Sequence, residues 1–464
     1  MANAVRHPLA ESLLGIVGTD GLLVDDEVRA RSTQAFRPEP LRARVLVRPR
    51  TTAEVSAVLA LCHAARNPVV THGGLTGLVH GADAGGDDVI VSLERMNAIE
   101  EISPTQRVAV VQAGLPLQRL QEAARDAGLF FPLDLGARGT ATVGGAVSTN
   151  AGGNRVIRWG MMRESVLGLE AVLADGTVVS SLNRVIKNNT GYDLKQLFIG
   201  AEGTLGVVTR VVVRLREAPP ARAMGLAALE RFEQVAALLK HMDRGLGGTL
   251  SAFEVMWRDF YELVTTPPAR TRPPLPHGRP YYVLLESLGA DQARDLERFE
   301  STLAEAMEAG LVADASIAQT ERDCEALWAL RDDIGQMGRF GRPFGYDVSL
   351  PLADTEAYVA NLRPDLAQRW PEHRCWFYGH LGDGNLHVVV QVPDPSDAAH
   401  AAVDALVYEP LGALGGAISA EHGIGLDKKA WLHVSRSADE IALMRTLKQA
   451  LDPAGILNPG KLLP

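Results

Sequence analysis

Residues 132–160 read PLDLGARGTATVGGAVSTNAGGNRVIRWG, and the rest of the chain is best interpreted from this glycine-rich segment. It shows no helical or strand periodicity, and most of its residues are Gly, Ala, Thr, Ser or Asn. Such a segment inside a domain is usually functional, because small side chains let backbone amides approach a ligand. A linker is the alternative, but the next segment, VLGLEAVLADGTVV (166–179), predicts a hairpin with an Asp-Gly turn.

The segments before it predict a mixture of helices and strands. Residues 51–66, TTAEVSAVLALCHAAR, have a capping Thr, an acid three residues later and apolar residues at helical spacing, so we expect a helix. Short strands are expected within 67–74 and 87–96, and residues 107–128 predict a strand, a turn and a helix. The fold class is therefore α+β.

A chain of 464 residues is too long for one hydrophobic core, so we expect two or three domains. The strand in GVVTRVVVRLREAPPA (206–221) ends in paired prolines, which predict a boundary near Pro219. Helical and strand patterns alternate after this boundary, which indicates a second α+β domain.

Composition limits the classes of function. The net charge of −10 argues against a nucleic-acid binder, because phosphate neutralisation needs a basic surface. We see no secretory signal and no apolar run of the roughly 20 residues that a membrane span needs, so we expect a cytoplasmic protein without a transmembrane segment. The cysteines, Cys62, Cys324 and Cys375, form no CxxC pair, which argues against an iron–sulfur cluster or a four-thiolate zinc site.

A glycine-rich turn at Gly73-Gly74-Leu75-Thr76-Gly77 follows a short predicted strand. Backbone amides in such a turn can bind a pyrophosphate, although the same sequence also suits a tight turn without a ligand. It matches neither the GxGxxG fingerprint nor the P-loop. Small residues recur at 139–153 and 200–209, and three such segments in one half of the chain suit a large, flat cofactor that carries phosphate.

Two histidines flank a predicted hairpin turn in WFYGHLGDGNLHVVVQV (376–392). If residues 382–385 form the turn, His380 faces His387, with Cβ atoms roughly 5 Å apart on one face. That placement suits two imidazoles that bind one ion.

A carboxylate and a third imidazole follow in SAEHGIG (419–425). Glu421 and His422 would point to opposite faces of a regular strand, so both can serve one site only if the backbone bends, which Gly423 permits. Two imidazoles and one carboxylate leave a coordination position open, as in catalytic metal sites. A salt-bridged surface Glu–His pair is the alternative.

Taken together, these motifs resemble the FAD-binding oxidoreductases of the vanillyl-alcohol oxidase superfamily, in their D-2-hydroxyglutarate and D-lactate dehydrogenase branch. The resemblance runs from about residue 40 to the last residue and rests on four segments besides the histidine hairpin: 132–153, 166–177, NNTGYDLKQLFIGAEGTLG (188–206) and 419–425.

The resemblance implies a division of the chain. A helical segment, 1–40, precedes a two-subdomain FAD-binding domain of the vanillyl-alcohol oxidase type at 41–219. An α+β substrate (cap) domain follows at 220–420, and the C-terminal segment, 421–464, returns to the FAD-binding domain.

It also implies that residues 72–77 contact the FAD pyrophosphate and that 139–153 and 202–208 line the flavin. Family members with covalent FAD carry the attachment histidine after the paired glycines, where this chain has Leu75, so we expect non-covalent FAD. The cofactor-binding candidates are His72, Gly73, Gly74, Leu75, Thr76, Gly77, Pro132, Leu133, Asp134, Gly139, Thr140, Gly144, Gly145, Thr149, Asn150, Gly152, Gly153, Glu202, Gly203, Gly206, Val207, Val208 and Asn458.

The family pattern GHxGDGNxH followed by EHGIG is complete in this chain. The resemblance implies that His380, His387 and Glu421 bind a divalent metal, Zn with Mn or Co as alternatives. It implies that His422 contacts the substrate and is the base near its hydroxyl.

Arg331, in ALWALRDDIG, corresponds to the family's arginine for a substrate carboxylate, which a guanidinium can bind through two N–H groups. The alternative is an ion pair on a helix surface with Asp332 or Asp333.

These assignments imply a dehydrogenase that oxidises a D-2-hydroxy acid to the 2-oxo acid by hydride transfer to flavin, with D-2-hydroxyglutarate as the first candidate. Gly335, Gly345 and Val389 stand where that branch has Thr, Lys and Asn. Either Arg339 or Arg342 replaces the lysine, or the substrate is D-lactate or another acid with an apolar tail.

A metal-dependent hydrolase is a remote alternative that leaves the glycine-rich segments unexplained. No nicotinamide motif is visible, so we expect an electron-transfer flavoprotein or a quinone as electron acceptor. The sequence leaves open whether the chain forms a homodimer.

Overall fold

The computed structural model of the chain describes residues 7–34 and 37–464. It divides into two compact units, each treated separately below. The first unit comprises the residues up to Gly153, Gly160–Ala218 and Glu421–Pro464, and the second comprises Asn154–Trp159 and Pro219–Ala420. The chain passes from the first unit to the second at the paired prolines, between Ala218 and Pro219.

The first unit contains two main sheets. In the four-stranded sheet the order is Leu22–Val24, Val45–Val47, Val89–Ser92 and Val69–His72. In the five-stranded antiparallel sheet the order is Val178–Ser181, Val166–Val172, Val207–Arg214, Val108–Gln112 and Ile99–Ser103. Two-stranded ribbons pair Leu129–Phe130 with Arg216–Glu217 and Ser32–Gln34 with Arg37–Pro40.

The α-helices of the first unit are Ala10–Val17, Asp26–Arg29, Thr52–Ala65, Leu117–Asp126, Val143–Thr149, Met162–Ser165, Leu432–Ser435 and Ala438–Leu451. Its 3₁₀ turns are Thr19–Gly21, Leu194–Leu197 and Lys429–Trp431.

The second unit is built on one seven-stranded antiparallel sheet. Its order is Asp314–Ile317, Ala221–Leu229, Tyr281–Gly289, Leu250–Trp257, Arg374–Gly379, Asn385–Gln391 and Phe344–Ser349. The helices are Val156–Trp159, Phe232–Leu246, Arg258–Thr265, Gln292–Glu308, Glu321–Arg331, the 3₁₀ helix Ile334–Phe340, Leu352–Arg369 and Asp397–Ala413.

Two elements of the first unit confirm their sequence signals. Thr51 caps the helix Thr52–Ala65, because its hydroxyl accepts a hydrogen bond from the Glu54 N–H at 3.1 Å. The predicted hairpin pairs Val166–Val172 with Val178–Ser181 across the Asp-Gly turn.

The glycine-rich segment is more regular than its sequence predicts. It contains the helices Val143–Thr149 and Val156–Trp159, so the expectation of a wholly irregular segment is wrong. Thr142 starts the first helix by accepting a hydrogen bond from the Gly145 N–H. A Cβ at Gly144 would lie 2.5 Å from the Ala113 Cβ, so the helix packs through a glycine face that gives no periodic apolar signal.

The N-terminal segment is not only helical. Its strand Leu22–Val24 pairs with Val45–Val47, and residues 1–6, 35 and 36 of this segment lie outside the described residues. In the part of the chain that the structure describes, no helix is long and apolar enough to span a bilayer.

The C-terminal segment pairs with the edge strand Val69–His72. The Val69 N–H donates to the Ile456 oxygen, and the Val69 oxygen accepts from the Asn458 N–H, both at 2.8 Å. Asp452, which is buried, accepts from the Ile456 and Leu457 N–H groups and fixes the turn before this pairing. These contacts fix the position of Asn458 beside the glycine-rich turns.

Candidate functional site

The first unit contains a cavity of about 350 Å³ lined mostly by small residues. Three segments predicted to hold a cofactor converge on it: the turn after the strand Val69–His72, the helix Val143–Thr149 with the glycines that follow it, and residues 202–208. The predicted residues that line it are Gly73, Gly74, Leu75, Thr76, Gly77, Gly144, Gly145, Thr149, Gly152, Glu202, Gly203, Gly206, Val207, Val208 and Asn458.

The other predicted cofactor residues are not part of the cavity lining. They are His72, Pro132, Leu133, Asp134, Gly139, Thr140, Asn150 and Gly153. The buried His72 ring has its Nε2 2.8 Å from the Ala82 oxygen, and burial lowers its pKa to about 4. His72 is therefore neutral near pH 7 and supports the turn from behind. Gly81, Gly136 and Ala137, among others, line the cavity although they lie outside the predicted ranges, because they carry no distinctive side chain.

The hydrogen bonds of Asn458 indicate whether the cavity suits a polar cofactor. Its Nδ2 donates to the oxygens of Gly81 and Glu202, while its buried Oδ1 has no hydrogen-bond partner among the described residues. A buried acceptor without a partner is costly and indicates a donor supplied by a ligand. FAD carries such donors on its ribityl chain and ring, so the lining fits FAD.

The 421–425 turn closes one side of the same cavity, where Glu421 and His422 both contribute to the lining. The predicted bend is present, since Gly423 has φ +84°. Glu202 fixes this turn by accepting hydrogen bonds from the Ile424 N–H at 2.7 Å and the Gly425 N–H at 2.8 Å. Burial raises the pKa of Glu202, and these two N–H donors oppose the rise.

The second unit places His380 and His387 side by side, with ring centroids 5.2 Å apart and planes at 80°. The predicted register is wrong, because Tyr378 and not His380 is the strand partner of His387. The turn is longer than expected: the His380 oxygen accepts from the Asn385 N–H at 3.2 Å, and Gly384 has φ +86°. A shift of two residues keeps a side chain on the same face, so the imidazoles still meet.

A buried carboxylate lies behind each imidazole. The Nδ1 of His380 is 2.5 Å from the Glu254 Oε1, and the Nδ1 of His387 is 3.6 Å from the Asp347 Oδ1. Histidines that bind metals commonly contact a carboxylate through the nitrogen that does not face the ion. Sequence reasoning gave neither acid a role. Glu254 lies inside an apolar strand without a motif around it, and Asp347 was noted only as the acid of the family-like segment YDVSLP (346–351).

Arg331 is buried in the same part of the second unit. Its Nε donates to the Glu254 Oε2 at 2.8 Å, one terminal nitrogen lies 3.3 Å from the His380 Nε2, and its guanidinium stacks over the Tyr378 ring. The alternative, an ion pair on a helix surface, is wrong about the surface, since Arg331 is only 5% exposed, but a terminal nitrogen of Arg331 does lie 3.9 Å from the Asp332 Oδ1. Burial alone would raise the pKa of Glu254, but the charges of His380 and Arg331 lower it to about 2.

The three positions that depart from the family pattern have few polar neighbours. Gly345 pairs with Val389, which pairs with Trp376 on its other side. A Cβ at Gly345 or Gly335 would meet no atom of the described residues within 4 Å. Of the two candidate replacement cations, Arg339 stacks over the Phe340 ring and bonds Gln336, and Arg342 is exposed.

Comparison with known proteins agrees with this arrangement. Residues 218–462 match the family described as FAD linked oxidases, C-terminal domain, and residues 43–181 match the FAD binding domain. The chain is 42% identical to D-2-hydroxyglutarate dehydrogenase, mitochondrial, of Bos taurus over 91% of this chain and 77% of that protein. It is 39% identical to D-2-hydroxyglutarate dehydrogenase of Xanthomonas citri pv. viticola over 93% of this chain and 90% of that one.

Among solved structures, 4-ethylphenol oxidase from Gulosibacter chungangensis has a TM-score of 0.73 at 18% identity, covering 97% of this chain and 96% of that one. This likeness confirms the predicted fold, a mixed helix and sheet architecture of the vanillyl-alcohol oxidase type.

We predict that Glu254→Gln destabilises the second unit by about 3–5 kcal/mol, because the buried Arg331 loses its charge partner. Urea unfolding followed by tryptophan fluorescence measures this, with the exposed Glu297→Gln as the matched control that should change stability by less than about 0.5 kcal/mol. The Glu254 contribution is present above its unfolded pKa of about 4.3 and is lost as the pH falls towards 2. Equal stability of the two variants at pH 7 would contradict the role given to Glu254.

Proposed function

Since the chain belongs to the family of FAD-linked oxidases, we propose that it oxidises the hydroxyl of a D-2-hydroxy acid to a 2-oxo acid with FAD and a divalent metal. One observation carries the proposal: His422 lines the cavity formed by the glycine-rich turns. A group able to accept the hydroxyl proton therefore borders the space assigned to the cofactor.

FAD would be held by backbone groups of residues 73–77, by the helix Val143–Thr149 and by Asn458. When bound, it supplies the acceptor for the hydride that leaves the substrate carbon. Leu75 occupies the position of the family's attachment histidine, and the buried His72 ring is engaged with Ala82, so the proposed binding is non-covalent.

His422 would accept the proton of the substrate hydroxyl. Imidazole suits this role near neutral pH, and a positioned base of this kind contributes a factor of about 10²–10⁴ to a rate. The bend at Gly423 and the Glu202 bonds to Ile424 and Gly425 hold the residue in place. Removal of the proton leaves negative charge on the substrate oxygen.

A divalent metal held by His380, His387 and Glu421 would stabilise that charge. The histidine pair and its carboxylates support the assignment. The position of Glu421 in the chain supports its assignment as a metal ligand. The preceding residue, Ala420, donates its N–H to the oxygen of Asp347, which is the strand partner of His387. Glu421 follows directly, with consecutive Cα atoms about 3.8 Å apart. Zn is the first candidate, with Mn and Co as alternatives.

Arg331 would bind the substrate carboxylate beside the metal. Its Nε is committed to Glu254, so this recognition uses the terminal nitrogens, one of which lies 3.3 Å from the His380 Nε2. The substrate would thus be held by the ion and by a guanidinium whose orientation Glu254 fixes.

We further propose an electron-transfer flavoprotein or a quinone as electron acceptor, and a cytoplasmic location. The homodimer stays an open alternative. The metal-dependent hydrolase also stays an alternative; it would use the same three ligands but gives no role to the FAD-type cavity.

We predict that the purified protein is yellow and that acid precipitation releases one FAD per chain into the supernatant. Absorbance of the supernatant at flavin wavelengths measures the ratio. Flavin that stays with the precipitate would show covalent attachment, and a colourless protein that takes up no added FAD would favour the hydrolase.

We predict that His422→Ala lowers kcat by a factor of about 100 or more, the usual scale for the loss of a positioned base. Flavin and metal content should be retained, and KM should change little because Arg331 and the metal ligands remain. His380→Ala should instead lose metal, and the exposed His433→Ala should behave as wild type. If His422→Ala fails only in metal binding, the roles given to Glu421 and His422 are wrong.

The substrate prediction is that D-2-hydroxyglutarate has the highest kcat/KM among four acids assayed with an artificial acceptor. The others are D-malate, D-lactate and D-2-hydroxyisovalerate. The named function of the relatives supports this order, and the absence of polar side chains at Gly345 and Val389 opposes it. A tenfold or greater preference for the last two acids would overturn the dicarboxylate and leave the chemistry intact, whereas a preference for L-enantiomers would overturn the family branch.

A further inference from the structure

Gly152, which lines the cofactor cavity, and Gly153, which follows it, both lie against Glu421. The Gly153 N–H donates to the Glu421 Oε1 at 2.5 Å. A Cβ added at Gly152 would lie 2.5 Å from the same oxygen and 3.2 Å from the carboxyl carbon. The carboxylate therefore occupies the space that any side chain at position 152 would need, and its nearer oxygen is oriented by the next amide.

The rest of the 421–425 turn is fixed from another side by Glu202, which accepts from Ile424 and Gly425. A Cβ at Gly423 would lie 2.8 Å from the Glu202 Oε1, so this contact also requires a glycine. The backbone of the turn is thus held independently of Gly152 and Gly153. What these two glycines determine is the orientation of the Glu421 side chain.

We propose that Gly152 and Gly153 are positioning residues for the metal site: the Gly153 N–H orients the Glu421 carboxylate, and the missing side chain at Gly152 leaves room for it. The proposal rests on the proposed function, in which Glu421 is a metal ligand. A hydrogen bond to a carboxylate restricts its rotation, and losing such support around a ligand typically weakens metal affinity 10–100-fold. Gly152 would then serve both the cofactor cavity and the metal site, and Gly153 the metal site.

Gly152 is the better position for a test, because its backbone does not need glycine. Gly152 does not have a positive φ, so an alanine there would not strain the backbone. The first atoms that an added Cβ meets belong to the flexible end of the Glu421 side chain. Gly153 has φ +126° and lies against the Asp134 backbone, so any substitution there would strain the chain as well.

The experiment uses the Gly152→Ala variant of the whole chain with FAD bound. A chelator removes the metal, and calorimetric titration with Co²⁺ or Zn²⁺ then measures the metal affinity. We expect a 10–100-fold weaker metal affinity with unchanged flavin content and unchanged flavin absorbance. Two control variants are measured in the same way. Gly86→Ala, whose Cβ meets nothing within 4 Å, should change neither property, and Gly144→Ala, whose Cβ meets Ala113, should lose flavin.

A second measurement tests whether the effect passes through Glu421. In a Glu421→Asp background the side chain is one methylene shorter, so the added Cβ at position 152 should cost little further affinity. Equal losses of metal affinity in both backgrounds would contradict the proposal, because the effects of substitutions at independent sites add.

The other possible outcomes also test the proposal. Wild-type protein that binds neither ion would overturn the metal in the proposed function and this inference with it. Wild type that binds metal while Gly152→Ala binds it equally well would overturn only the inference. A Gly152→Ala protein that loses flavin or fails to fold would show that the Cβ displaces more than the carboxylate, which also contradicts the proposal.

Discussion

Three hydrogen bonds hold the 421–425 turn against the glycine-rich walls of the cavity: one from the Gly153 N–H to Glu421, and two from Ile424 and Gly425 to Glu202. All three involve a charged acceptor, which makes them stronger than bonds between neutral groups. The same carboxylates also explain why positions 152 and 423 are glycines, since Glu421 and Glu202 fill the space that a Cβ there would take. The proposed base and the proposed metal ligand both depend on this backbone arrangement, because His422 and Glu421 are adjacent in it.

In the second unit, the burial of charged side chains makes an unfavourable contribution to the folding free energy. Glu254 and Asp347 are inaccessible to solvent, and burying a lone carboxylate is unfavourable unless a cation or hydrogen-bond donors offset the lost hydration. Arg331 and His380 supply this for Glu254, and the Asn385 side chain donates to Asp347. The same contacts restrict how the imidazoles and the guanidinium can turn. Burial of the acids therefore helps to orient the side chains that the proposed metal and substrate sites would use.

The sequence predicts local structure where a side chain carries the signal. Thr51 and Glu54 predicted the start of the helix Thr52–Ala65, and the histidine spacing brought His380 and His387 to one face. The register of that pair was wrong because the turn is set by backbone bonds of Asn385 and by Gly384, which have no side-chain signature. The helix Val143–Thr149 was missed because glycine and alanine form its packed face, and Glu254 was missed because one acid in an apolar strand, LSAFEVMW, predicts nothing by itself.

The same distinction separates the residues proposed for the reaction from those proposed for the substrate tail. Three of the residues given to proton and metal chemistry, His380, Glu421 and His422, stand at turns that contain a glycine with positive φ, Gly384 or Gly423. Gly345 and Val389, which would contact the substrate tail in the proposed function, are strand partners and form a row two residues along the strands from Asp347 and His387. Strand pairing depends on backbone groups, so side chains in that row can change from polar to apolar without moving the row that carries the histidine. In the proposed function, a changed side chain in that row can therefore alter which substrate tail is bound while the residues given to the reaction keep their positions.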